Sequence, residues 1–441
     1  MRKSTALLLV LFLAESSLVA ATPENTWESK APMRVARGAL GVVAVNNKIY
    51  AIGGSAKDVR LAATKEFLST NEEYDPETDT WTSKKGMPTQ RATLAIASYQ
   101  NKIYCIGGKN SDGYTGINEV YDPQTDTWET KKPMPTARGF VTANVVNGRI
   151  YVIGGSIIGG GTTVNEVYDP ATDSWTTKTS MPAHGGSVST VFDTKIYFMR
   201  GSELLIYEPA TDKWSEGTPK PSSVGGVLAA VVTTGDMAPK RIYTIGDRVG
   251  IYDPKNDTWT IGAVKPTSQT DFGVAVVNDL IYAVGGDTYD GLYAIYGPGL
   301  GHFEPLALNE QYTPLDYGTI LPKIIVDSPE NRIYNSSSLS LIFTVDKTAV
   351  WLGYSLDGQE TIAVAGNTTI TGLTNGVHNV TVYAKDAFNN TGVSEIAYFS
   401  VDMPEPQPEP PTLPTVVVIA SLITVAVVSG SLLVYFKKRK H

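Results

Sequence analysis

Five polar side chains share one register of this sequence. Counting back 13 residues from the tyrosine of successive Ile-Tyr pairs gives Arg37, Arg91, Arg138, His184 and Gln269. Such a set suits a ligand bearing a carboxylate, because guanidinium presents paired N–H donors to two oxygens. A second group lies between Asp287 and Leu308 and holds Asp287, Tyr289, Asp290, Tyr293, Tyr296, His302 and Phe303. Aromatic faces beside carboxylates are what a carbohydrate site uses, stacking on the sugar plane and accepting from its hydroxyls. A third stretch, Ser55 to Asn71, carries Lys57, Arg60, Lys65, Glu66 and Phe67. Two plainer readings stand beside these: arginines that only join neighbouring structural units, and a loop that folds its aromatics over its own rim.

The elements that must position these residues repeat along the chain. Five octapeptides, YDPETDTW from Tyr74, YDPQTDTW from Tyr121, YDPATDSW from Tyr168, YEPATDKW from Tyr207 and YDPKNDTW from Tyr252, are nearly identical. Tyr312-Thr313-Pro314 has no tryptophan after it, and Asn25-Thr26-Trp27 has no tyrosine before it. Together they make one more copy, split between the ends of the array. In step with these run IYAIGG, IYCIGG, IYVIGG, IYFMRG, IYTIGD and IYAVGG, from Ile49, Ile103, Ile150, Ile196, Ile242 and Ile281. Each is a short apolar strand ending at a glycine turn. With the preceding apolar run and the two strands around the Asp-Pro turn, every unit holds four strands and recurs each 39 to 54 residues. That period reads as six propeller blades, with Trp27 supplying the outer strand of the last. An unclosed ring would leave a bare sheet edge.

At these residues the chain resembles the kelch family, whose repeats carry a double glycine followed by spaced Tyr and Trp. The resemblance covers roughly residues 24 to 318 in six registers. It departs at Arg200-Gly201 and Gly246-Asp247, where blades four and five keep one glycine of the pair, and at the insertion Gly235 to Lys240, which breaks the 13-residue count. The resemblance implies that the loops after the double glycine and the inter-blade loops share one face. Relatives contact acidic peptides or sugar acids there. It does not extend to the kelch-based copper oxidases, because Cys105 occupies an ordinary repeat strand.

The ends of the chain carry different signals. Met1-Arg2-Lys3, the apolar run Ala6 to Ala14 and the small residues before Ala21 read as a secretory signal over residues 1–21, cut after Ala20 or Ala21. Residues 415–436 hold no charge, and at about 1.5 Å per residue they span roughly 33 Å, enough for a bilayer core. The basic tail 437–441 follows, so the bulk of the chain is expected outside the cell, as a single-pass type I protein. Without signal and tail, 30 basic face 43 acidic residues, which argues against nucleic acid as a partner. Cys105 is the only cysteine, so the fold rests on its core and not on disulfides.

Between ring and anchor, residues 320–402 show alternating strands at Leu339 to Val345, Ala349 to Ser355, Asn379 to Lys385 and Ile396 to Val401, as in a small β-sandwich. The stretches Trp351 to Gly358 and His378 to Asp386 resemble immunoglobulin-like domains of archaeal and bacterial surface proteins. His378 reads as structural. Sequons at Asn256, Asn335, Asn367, Asn379 and Asn389 are candidate glycosylation sites. A Pro-rich stalk, 403–414, follows.

The expected fold is therefore all-β: a six-bladed propeller over 22–319, a sandwich, a stalk and a membrane helix. No Ser/His/Asp arrangement, phosphate loop or metal-ligand spacing stands out, so no metal or cofactor is expected. The leading function is a membrane-anchored binding or adhesion module for extracellular protein or glycan. Two rivals remain. One is an enzyme similar to the kelch mutarotases of sialic acids, with Arg37, Arg91 or Arg138 holding a carboxylate and His184 or a loop acid moving protons. The other is a structural component of the cell envelope.

Overall fold

A computed structural model describes residues 23–57, 66–182, 188–226, 228–288 and 304–404. The signal (1–21), the anchor (415–436), the basic tail (437–441) and all of the stalk beyond Pro404 lie outside the described residues. Among the described residues no helix is long and apolar enough to cross a membrane. The chain divides into two compact units, one running to Pro322 together with Asp386–Asn390 and the other holding the rest of the chain from Lys323.

Six four-stranded antiparallel sheets make up the first unit. Their inner strands are Gly41–Val45, Ala95–Tyr99, Thr142–Val146, Val188–Phe192, Ala229–Val232 and Gly273–Val277. Each inner strand lies beside the next, and the sixth lies beside the first. Second strands such as Lys48–Ile52 and Lys102–Ile106 are buried over four consecutive residues, because both faces of each sheet are covered by neighbouring sheets. This explains why the Ile-Tyr motifs are apolar runs and do not alternate. The outer strand of the sixth sheet is Thr26–Ser29, which pairs with Asn309–Thr313 and sets Trp27 opposite Tyr312. In the first sheet Trp81 stands opposite Tyr74 in the same way.

Aromatic contacts join every sheet to the next. The Ile-Tyr tyrosine of each blade meets the motif tyrosine of its neighbour at 5.8–6.2 Å: Tyr50 with Tyr121, Tyr104 with Tyr168, Tyr151 with Tyr207, Tyr197 with Tyr252, Tyr243 with Tyr312, and Tyr282 with Tyr74. Such pairs contribute roughly 0.5–1.5 kcal/mol each beyond their buried area. A polar latch runs alongside. The Tyr74 hydroxyl donates to Asp79 at 2.7 Å, Ala31 N donates to the same oxygen at 2.8 Å, and Trp81 Nε1 donates to Ala31 O at 2.7 Å. The last Asp of the octapeptide therefore holds the preceding blade's backbone, and the Trp holds the carbonyl of the same residue. Asp126 and Trp128 repeat this on Lys85, Asp173 and Trp175 on Lys132, Asp212 and Trp214 on Thr179, and Asp257 and Trp259 on Thr218.

The sixth latch is built differently. Asn25 takes the place of the Asp, accepting from the Tyr312 hydroxyl at 2.8 Å and from Ala263 N at 2.7 Å. Trp27 Nε1 is buried without a hydrogen-bond partner. The strand beside it, Thr258–Val264, carries a register shift against its partner between Arg248 and Gly250. Compensation comes from the insertion that the repeat count stumbled on. Residues 234–238 wrap the fully buried Asp279 of blade six, whose carboxylate accepts from Thr234 Oγ1 and from the backbone N–H groups of Asp236, Met237 and Ala238 at 2.8–3.0 Å. Arg241 then pairs with Asp316 at 2.8 Å.

The second unit is two sheets around one core. Ile324–Ser328, Ser338–Val345 and Thr368–Thr371 form one sheet. Ala397–Val401, Gly376–Lys385, Trp351–Leu356 and Ile362–Val364 lead the other, flanked by Ile333–Tyr334 and Thr391–Val393. Here burial alternates along Ser338–Val345 and Gly376–Lys385, because only one face of each sheet is covered. Leu341 and Phe343 meet Val380, Val382 and Phe399 in the core. His378 stacks on Phe399 and is held by Asp357 at 2.7 Å and Thr374 O at 2.8 Å, a structural place. The Thr374 carbonyl, and behind it Asp357, raise its pKa.

Candidate functional site

The inter-blade loops carry the register residues, and their local geometry turns those side chains inward. Arg37, Arg91 and Arg138 are fully buried. Each pairs with a glutamate two residues before the motif tyrosine of its own blade: Arg37 with Glu72, Arg91 with Glu119 at 2.5 Å, and Arg138 with Glu166. Their second terminal nitrogens donate to Ala51 O, Cys105 O and Val152 O at 2.7–2.9 Å. The opposite carboxylate oxygens are taken as well, by Arg34 N at 3.0 Å and by Thr89 Oγ1 and Thr136 Oγ1 at 2.8 Å. Burial pulls the Arg37 and Arg138 pKa values down and the paired glutamates push them back up. Arginine suits these places because it stays charged and its fork serves several oxygens at once.

The expectation that these arginines are offered to a carboxylate-bearing ligand is therefore corrected. A buried guanidinium survives only with most of its donors satisfied, and here the terminal nitrogens are used inside the protein; Arg91 Nε also donates to Gly107 O, while Nε of Arg37 and of Arg138 is buried without a partner. Gln269 is also buried, donating to Gly285 O at 3.0 Å. In its blade Lys265 pairs with Glu310 and lies 5.5 Å from the Trp27 ring, so the ion pair of blade six touches the N-terminal strand. Asp287 is 2% exposed and bridges Thr270 through two backbone hydrogen bonds. Its carboxylate presses on Gly38 of blade one, where a Cβ would sit 2.3 Å from Oδ2, so only glycine fits there. His184, Tyr289, Asp290, Tyr293, Tyr296 and His302 lie outside the described residues.

Four inter-blade loops are strung together by their backbones. Ala39 N donates to Asp271 O, Thr93 N to Ala39 O, and Phe140 N to Thr93 O, at 2.7–2.9 Å. All four residues have φ between 50° and 57°, a left-handed backbone that costs a non-glycine residue roughly 1 kcal/mol or more. The hydrogen bonds between blades offset that strain. The double glycines serve the same junction: Gly54 N donates to Arg91 O, Gly108 N to Arg138 O and Gly286 N to Arg37 O, each reaching the next blade.

Inside this belt runs a cavity of about 510 Å³, lined by all six inner strands. Leu40, Leu94, Val141, Leu228 and Phe272 line it where the inter-blade loops lead into the inner strands. Among the described residues, none that lines it is ionisable. Its polar feature is Asn144, which donates to Ser189 Oγ at 2.8 Å beside Thr142. Such a lining can hold neutral groups, but it offers no acid or base. Among the described residues no group of His, Cys, Asp or Glu is placed to hold a metal. Cys105 is buried and its thiol is pushed up to about 12 by desolvation, so it is no nucleophile.

The loops beyond the double glycines differ by blade. Blades two and three raise small hairpins, Lys109–Asn110 with Gly113–Tyr114 and Ser156–Ile157 with Gly160–Gly161, and Ile158 at the second tip is 88% exposed. Blades four and five connect the same strands through two residues, Gly201-Ser202 and Gly246-Asp247. The blades that lost one glycine of the pair are the ones with these tight hairpins.

The buried glutamates escaped the sequence reading, yet a signal existed. Glu72, Glu119 and Glu166 occur in the same repeats that hold Arg37, Arg91 and Arg138.

Six four-stranded sheets set around a channel define a β-propeller. Residues 39–246 match the KLHDC2/KLHL20/DRC7 Kelch-repeats domain, just under half of the chain. Human Kelch-like protein 28 is 32% identical over 106 residues, which cover 24% of this chain and 19% of that protein. The influenza virus NS1A-binding protein homolog of Xenopus laevis is 36% identical over 99 residues, covering 22% and 14% respectively. The chain thus spans about a fifth or less of those relatives. A solved structure titled "Structure of YjhT" aligns over 62% of this chain and 95% of its own, at 15% identity and a TM-score of 0.49.

Proposed function

We propose that this chain is an exported, membrane-anchored binding protein whose kelch propeller presents its loop face to an extracellular protein. One observation carries the binding reading. The arginines that a sugar-acid enzyme would need are buried and committed to neighbouring groups, and Asp287 is buried, while the hairpin of blade three projects an exposed apolar tip. A relative named for protein binding, the NS1A-binding protein homolog, supports a protein as the ligand. The signal, stalk and anchor read from the sequence support export, and the two-sheet unit is read as an immunoglobulin-like spacer carrying some of the sequons. The Trp27 strand is read as the clasp of the ring, formed after the signal is removed.

Cross-linking of the full chain on intact cells, followed by mass spectrometry, tests this. Ile158→Asp is expected to abolish the captured partner while leaving the Tm within about 1 °C, since a fully exposed tip contributes little to stability. Undiminished capture by Ile158→Asp would place the contact elsewhere, and absence of the chain from the cell surface would remove the export reading.

A further inference from the structure

The larger sheet of the second unit leaves apolar side chains on its outer face. Along Gly376–Lys385 the buried residues are His378, Val380, Val382 and Ala384, so Val377, Asn379 and Thr381 point outward. Directly across from Asn379 stands Tyr398, in a strand whose Phe399 and Val401 point into the core. Val377 is 75% exposed and Tyr398 52%. An aromatic and a branched aliphatic side chain held this open on a flat sheet are a patch that calls for a cover.

The same face carries the means of covering it. Asn379-Val380-Thr381 is a sequon, and strand alternation puts its Asn and its Thr hydroxyl on one side, two residues apart. The side-chain amide of Asn379 makes no hydrogen bond among the described residues, whereas Asn256 donates to Asp253 and Asn367 accepts from Phe343 N. Cross-strand partners at this spacing lie about 5 Å apart, within reach of the first sugar of a chain attached at Asn379.

We propose that Asn379 carries an N-linked glycan whose first sugars lie on Tyr398 and Val377. In the modification, Asn379 Nδ2 attacks the anomeric carbon of a lipid-pyrophosphate-linked oligosaccharide. One N–H bond breaks and a C–N bond forms, the lipid pyrophosphate leaves with its bonding pair, and the amide proton passes to base. The hydrophobic C–H face of the sugar then covers the Tyr398 ring. This inference rests on the export reading above, because the donor is met only on the export route.

Glycopeptide mass spectrometry of the full chain from its native membranes, with melting curves, tests it. Sugar is expected on the Asn379 peptide. Asn379→Gln should lower the Tm of the glycosylated protein by roughly 3–5 °C, and by less than about 1 °C in a Tyr398→Ala background. Thr381→Val, which keeps Asn379 but removes the hydroxyl of the sequon, should give the same loss of sugar and the same shift. In unglycosylated protein from the bacterial cytoplasm both substitutions should leave the Tm unchanged. Sugar on Asn335 or Asn389 with none on Asn379 overturns this proposal alone. Sugar on no sequon overturns it together with the export reading, and equal shifts with and without Tyr398 overturn the packing of the glycan.

Discussion

In blades one to three a buried arginine joins the inter-blade loop to a glutamate on the third strand. In blades four and five the positions three and two residues before the motif tyrosine hold Leu204-Leu205 and Val249-Gly250 instead of Asn-Glu. Blade four fills the space with its two leucines, both buried. Blade five fills it from the loop, where Val224 of the short turn Ser222–Val224 sits against Gly250 so closely that a Cβ there would lie 2.5 Å away. The ion-paired blades keep the double glycine and long loops, and the apolar blades have tight hairpins. The lesson is that an ion pair is not required to close a blade. Among the described residues, the loops of blades one and two are also held to the next blade by an Arg carbonyl.

The largest expected effect comes from breaking one member of a pair. Arg91→Ala or Arg138→Ala should cost about 3–5 kcal/mol in urea unfolding, because a glutamate is left buried and uncompensated. Arg91→Met with Glu119→Leu, which copies the apolar solution of blade four, should recover most of that loss. A double variant as unstable as the single one would show that the two kinds of blade are not interchangeable.

The tryptophans should divide next. Trp81→Ala is expected to cost roughly 3–5 kcal/mol, as for a large buried side chain. Trp27→Ala should cost only about 2 kcal/mol in the same assay, since its indole N–H has no acceptor to lose and it is less buried.

Acid should act on five latches and spare the sixth. The Tyr74 hydroxyl and Ala31 N hold Asp79 below the usual carboxylate range, and Tyr121 and Lys85 N do the same for Asp126. Asp173, Asp212 and Asp257 are lowered too. A depressed folded pKa stabilises the fold above the unfolded value of about 3.9, and the contribution is lost as pH falls through the folded value. Urea midpoints should therefore drop below about pH 4, by well under 1 kcal/mol per latch after allowance for solvent screening. Asp126→Asn should remove one part of that drop, giving blade two the uncharged latch that Asn25 already gives blade six.

The smallest effect is a probe. Cys105 of blade two should resist alkylation at pH 8 in the native protein and react only as the blade unfolds, which reads out the stability of an ion-paired blade directly.

Much of the ring was legible in the residues. The Tyr and Trp of each octapeptide fix a strand pair and the glycines fix its turn. The split copy Tyr312 and Trp27 is a pair of facing residues in one sheet. The insertion that disturbed the count turned out to wrap Asp279, a role invisible without knowing which blade lies beside it. Four strands of the second unit were legible through alternation, with ends moved by one to three residues, while the shorter strands such as Thr368–Thr371 and Ile362–Val364 carry too little alternation to be read.

What the sequence by itself determined is the periodicity: the number of blades, their strands, and the positions at which arginine recurs. Tertiary structure decided which way those arginines point. A 13-residue register places a side chain along the chain but does not aim it. The aim is set by a glutamate 28 to 35 residues away and by carbonyls of the second strand, which come within reach only when the blade is folded. Once they do, a charge that burial would penalise is satisfied inside the protein, and the residues that looked most ready for a ligand become part of the framework.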